Sequence, residues 1–131
     1  MANDAARGDR WTVLSGWLRT VRAQTPGRLV AVVRLGAGDG TDAAGDAALI
    51  AAVEPLAQVV VLTGADPDRL DAARARFARP GRVRVEPDDW AAVAAAREAT
   101  GPGDRLVAVS GTAGVLWDAM RTPLGVARRT A

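Results

Sequence analysis

The chain has 131 residues, enough for one domain with its own core, and it carries 17 basic residues against 15 acidic ones for a formal net charge of +2. It contains no Cys, His, Tyr or Lys, which excludes disulfides, His or Cys metal sites, Ser-His and Cys-His nucleophile pairs, lysine Schiff bases and the lysine of a P-loop. All the basic residues are Arg, so the sequence pI of 10.8 reflects a small surplus of a group that titrates only above about pH 12, and not a nucleic-acid-binding charge.

Met1 to Arg10 is small, polar and charged, without the apolar centre of a signal segment. No apolar run approaches the roughly 20 residues that span a bilayer. The expectation is a cytoplasmic protein without membrane insertion. Trp11, Leu14, Trp17, Leu18 and Val21 then recur at helical spacing, which predicts an amphipathic helix ending near Pro26-Gly27. Its two tryptophans either pack on a sheet or form a partner interface.

Arg28 to Arg34 is an apolar, β-branched run that feeds into Leu35-Gly36-Ala37-Gly38-Asp39-Gly40-Thr41. This is a strand ending in a glycine turn where a ligand could approach the backbone. Ala43 to Val53 follows as a helix stopped by Pro55, and Val59 to Leu62 as a second strand covered on both faces. Asp66-Pro67 opens the next helix, an acidic cap with proline in the first turn, with Leu70, Ala73 and Phe77 inward.

Val83 to Val85 is a short, more polar strand suited to a sheet edge. Asp88 or Asp89 caps a helix through Trp90 to Ala99, and Leu106 to Val109 is a fourth strand. Val115, Leu116, Ala119 and Met120 suggest a last helix. Strands alternating with helices predict a single α/β domain over residues 1–131. Its architecture is a Rossmann-like parallel sheet of about four strands with flanking helices, preceded by the N-terminal helix. In such sheets ligands sit at the carboxyl ends of the strands. The glycine turn, 63–66, 86–90 and 110–114 therefore share one rim.

Three segments carry a family resemblance. They are Leu35 to Thr41, Ala65-Asp66-Pro67-Asp68-Arg69-Leu70-Asp71-Ala72-Ala73-Arg74, and Val83-Arg84-Val85-Glu86-Pro87-Asp88-Asp89-Trp90. Together they resemble the N-terminal half of class I S-adenosylmethionine-dependent methyltransferases, the FkbM type among them. The rival dinucleotide fingerprint needs a third glycine where this chain has Thr41.

The resemblance implies S-adenosylmethionine as the cofactor, or none if the site has degenerated. It implies cofactor contacts at Gly36, Gly38, Asp39, Gly40 and Asp66, and adenine contacts at Asp88, Asp89 and Trp90. Where many family members place a catalytic or substrate-binding acid this chain has Ser110-Gly111-Thr112, so no catalytic base is read from the sequence, and no metal ligands are. The chain departs from the family at two positions, with Arg34 where an acid precedes the first glycine and Gly64 where an acid binds the ribose. Asp39 is a candidate to screen Arg34. Asp66 has a competing role as a helix cap, and Asp88 to Trp90 as a capped helix with a core tryptophan.

Only four strands are predicted where the family has seven, which leaves an open sheet edge. The expected function is a non-catalytic, methyltransferase-like accessory or protein-interaction subunit, with a protein partner or a second copy of the chain. The alternative is an S-adenosylmethionine-dependent methyltransferase, or its cofactor-binding part, completed by oligomerisation or another subunit. Arg69, Arg74, Arg76, Arg79, Arg82 and Arg84 form a basic cluster. Interleaved acids and the lack of stacking aromatics make it a solvated, ion-paired face and not a nucleic-acid site.

Overall fold

The structure is a computed structural model that describes residues 2–35, 43–110 and 114–118. Its centre is a five-stranded sheet in the order β3-β2-β1-β4-β5, built from β1 (Leu29–Arg34), β2 (Val59–Thr63), β3 (Val83–Val85), β4 (Arg105–Ser110) and β5 (Gly114–Asp118). The first four strands run parallel, with Val32 opposite both Val61 and Ala108. The α/β, Rossmann-like arrangement expected from the sequence is the observed one.

The helices are α1 (Ala2–Gln24), α2 (Ala43–Val53), α3 (Pro67–Ala75) and α4 (Asp89–Ala99). Alternate residues of β1 serve opposite faces. Leu29, Ala31 and Val33 join Leu18 of α1, Leu49 of α2 and Leu70 of α3 in the larger core cluster. Val30 and Val32 join Ala92 and Ala96 of α4 on the other side. A central parallel strand is buried on both faces, and the unbroken apolarity of 29–33 follows from that.

Local chemistry explains the helix starts. The Asp66 carboxylate accepts the backbone N–H groups of Asp68 and Arg69 at 3.1 and 3.4 Å, with Pro67 behind it. Asp88 accepts the N–H of Ala91 at 2.9 Å to start α4. The choice between Asp88 and Asp89 thus resolves to Asp88 as the cap. β3 lies at the sheet edge, as its polarity suggests.

One expectation is corrected. The helix read over Val115, Leu116, Ala119 and Met120 is replaced over 114–118 by β5, with Ala119 and Met120 outside the described residues. β5 pairs antiparallel to β4, with Ala108 opposite Trp117 and an irregularity in register at Ala108/Val109. β4 is therefore an interior strand, with β3 and β5 at the two ends of the sheet among the described residues. The helical spacing of a few apolar residues was outweighed by pairing with a strand already in place.

Trp17 is partly buried against the larger core cluster, the packing alternative for that side chain, whereas the side chain of Trp11 lies outside the described residues. Among the described residues no helix is long and apolar enough to cross a membrane.

Candidate functional site

At the carboxyl ends of β1 and β2 and the start of α4 lies a cleft of about 370 Å³, lined by Arg34, Gly64, Ala65, Pro87, Asp88, Asp89 and Trp90. The sheet register sets it. Arg34, the last residue of β1, stands between Thr63 of β2 and Ser110 of β4. Thr63 is buried, and its hydroxyl donates to Asp89 Oδ1 at 2.9 Å, which ties the end of β2 to the first turn of α4.

Asp89 Oδ2 lies 3.5 Å from Arg34 Nε, and both side chains are about half exposed, at 50% and 51%. The pair therefore orients its members more than it stabilises the fold. Among the described residues, the carboxylate beside Arg34 is that of Asp89; Asp39, the expected screening acid, lies outside them. The two charges compensate each other within the cleft, so an incoming cation meets an acid already engaged.

Gly64 has φ +155, and a Cβ placed there would collide with the carbonyl oxygen of Leu35. The crowding arises because Leu35 continues the ladder past β1 and donates its N–H to Thr63 O at 2.8 Å. At this position the backbone accepts glycine alone. The absence of an acid there is thus tied to the way β1 and β2 leave the sheet.

The sequence-derived site residues divide into three groups. Asp88, Asp89 and Trp90 are brought together in the cleft with Arg34 and Gly64. Asp66 is not among them; it caps α3 and lines a neighbouring depression with Asp46, Asp68, Arg69 and Arg76. Gly36, Gly38, Asp39 and Gly40 lie outside the described residues. Trp90 is not a core residue: it is 82% exposed, because Ala92, Ala95 and Ala96 form the buried side of α4 and Trp90 sits off that stripe.

One feature behind the cleft was missed from the sequence. Asp46 of α2, only 4% exposed, accepts two hydrogen bonds from Arg69 of α3, Nε to Oδ2 at 2.7 Å and NH2 to Oδ1 at 2.8 Å. This fork fixes α2 against α3 beneath the ends of β1 and β2. The available signal was a lone acid inside the otherwise apolar run Ala43–Val53.

The basic cluster is partly consumed in the same manner. Arg74 donates to Pro80 O, and Arg84 pairs with Glu86 at 2.8 Å. Among the described residues no buried side-chain polar atom lacks a partner, and no group of three acids is placed to hold a metal ion. No protein-family model and no curated protein matches the chain.

Proposed function

We propose that the chain is a non-catalytic, methyltransferase-like module that acts through protein contacts. The observation that carries this reading is the collision that any side chain at Gly64 would make with Leu35 O. At the position where the resemblance puts the ribose-binding acid, the backbone admits none. Arg34 reinforces it, since a guanidinium at the end of β1 opposes a sulfonium and an ammonium, and its partner Asp89 is already engaged. Trp90 supplies a contact residue: an indole 82% exposed at a cleft rim is the side chain most enriched among interface hot spots. On this reading the module is a cytoplasmic accessory subunit that meets a partner chain or a second copy through the α4 end of the rim.

A second reading rests on the cleft itself. Asp88, Asp89 and Trp90 meet Gly64 and Arg34 at the strand ends, the place where α/β sheets bind ligands. An S-adenosylmethionine-dependent transferase completed by a further chain would use this cleft for the adenine end of the cofactor.

Titration calorimetry with S-adenosylmethionine and S-adenosylhomocysteine separates the two. The interaction reading expects no heat of binding at micromolar concentration. Saturable micromolar binding by the isolated chain would overturn it in favour of the second reading. Light scattering across a concentration series, repeated with Trp90→Ala, then reports whether the rim mediates self-association.

A further inference from the structure

At the opposite end of the sheet from the rim, a second cavity of about 300 Å³ opens where β2 and β3 begin. Its floor is apolar and part of the core: Val60, Phe77 and Val83 are each about 5% exposed or less. The cavity exists because α3 ends at Ala75, with Arg76 as its C-cap. The chain then drops through Phe77 and a single 3-10 turn (Pro80–Arg82) into β3, leaving a gap beside the α2–β2 connection.

Two guanidiniums stand at its rim. Arg79 and Arg82 are exposed, and neither side chain has a hydrogen-bond or ion-pair partner among the described residues, unlike Arg69, Arg74 and Arg84 of the same basic cluster. The one carboxylate lining the cavity, Glu54, accepts the N–H of Ala78 at 2.6 Å and is to that extent engaged. The local balance is therefore two unpaired cations over one hydrogen-bonded acid, above an aromatic and aliphatic floor. Guanidinium forks favour planar or tetrahedral oxyanions, and a floor of this kind favours an apolar body.

We propose that this cavity binds a small amphipathic anion, an apolar ring or chain bearing one phosphate or carboxylate, with the anion held by Arg79 and Arg82 and the body resting on Phe77, Val60 and Val83. The site is independent of the rim cleft and of the reading given to it. Its volume of about 300 Å³ accommodates a single-ring compound.

Phenyl phosphate is the probe, followed by amide chemical shifts of the full chain, with inorganic phosphate and benzyl alcohol as comparators. Phenyl phosphate is expected to give saturable shifts over 54–60 and 77–83, and each comparator to bind about tenfold more weakly or worse. Arg79→Gln with Arg82→Gln should weaken phenyl phosphate binding about tenfold or more while leaving the thermal midpoint unchanged, since both residues are exposed. Arg34→Gln should leave it unaltered. Shifts that do not saturate or that centre elsewhere would overturn the proposal. So would unchanged affinity in the double variant, or equal binding of either comparator.

Discussion

A β-carbon on Gly64 would fall onto the carbonyl oxygen of Leu35, so the strand ends of β1 and β2 leave no room for a side chain between them. The crowding follows from the hydrogen bond of Leu35 N–H to Thr63 O, which carries the β1–β2 ladder past the last strand residues. Gly64→Ala should destabilise the chain by at least about 2 kcal/mol, measured by denaturant unfolding. Gly64→Asp, which restores the acid implied by the family resemblance, should be at least as damaging and should not create cofactor binding by calorimetry.

The Asp46–Arg69 fork is the most buried ion pair described, with the two side chains 6% and 20% exposed. Asp46→Ala leaves a guanidinium without its main acceptor between α2 and α3, at a cost of about 3 kcal/mol in urea unfolding. Combining it with Arg69→Met should recover part of that loss, because the stranded charge is removed together with its partner.

Asp104 joins the loop after α4 to the start of β1. It accepts the Arg28 N–H at 2.7 Å, the Gly101 N–H at 2.9 Å and the Arg28 guanidinium at 3.0 Å. These bonds, the Arg28 backbone N–H first, lower its pKa from 3.8 to about 2. The unfolded chain binds this proton more readily. The contribution is therefore complete above about pH 4 and disappears as pH falls through about 2. The stability difference between the wild-type chain and Asp104→Asn, followed by denaturant midpoints, should be constant at neutral pH and shrink over that acid interval.

Trp90 is exposed, whereas Trp17 is partly buried. Trp90→Phe should leave the thermal midpoint within about 1 °C, because no packing is lost. The same change should remove a component of tryptophan emission that iodide quenches readily. A substantial drop in midpoint, or an unaltered quenching curve, would mean that the indole is covered.

Much of the fold was legible locally. Asp66-Pro67 announces a helix start because a carboxylate accepts free N–H groups and proline lacks one, and both effects act within four residues. The run 28–34 announces a buried strand for a similarly local reason. The helix expected at Val115 and Leu116 is a strand instead, because their apolar spacing fits a helix while pairing with Val107 to Ser110 depends on a strand formed elsewhere.

The candidate site was less legible than the fold. Asp88, Asp89 and Trp90 were placed together because they are neighbours in sequence, but the ion pair of Asp89 with Arg34 spans 55 positions and leaves no local trace. Asp46 with Arg69 and Thr63 with Asp89 are hidden in the same way. For Trp90 the sequence left an adenine contact and a core side chain as alternatives, because its direction depends on which stripe of α4 meets the sheet.

Sequence alone determined the excluded chemistries, the order of strands and helices through β4, and the Asp66 cap, since these rest on residue type and on contacts within a few positions. Tertiary structure decided the rest: β5, the rim pair Arg34 and Asp89, the buried fork of Asp46 and Arg69, and the reason that position 64 is glycine. Each of these depends on the distance between segments that meet only after the chain has packed, and local pattern carries no record of that distance.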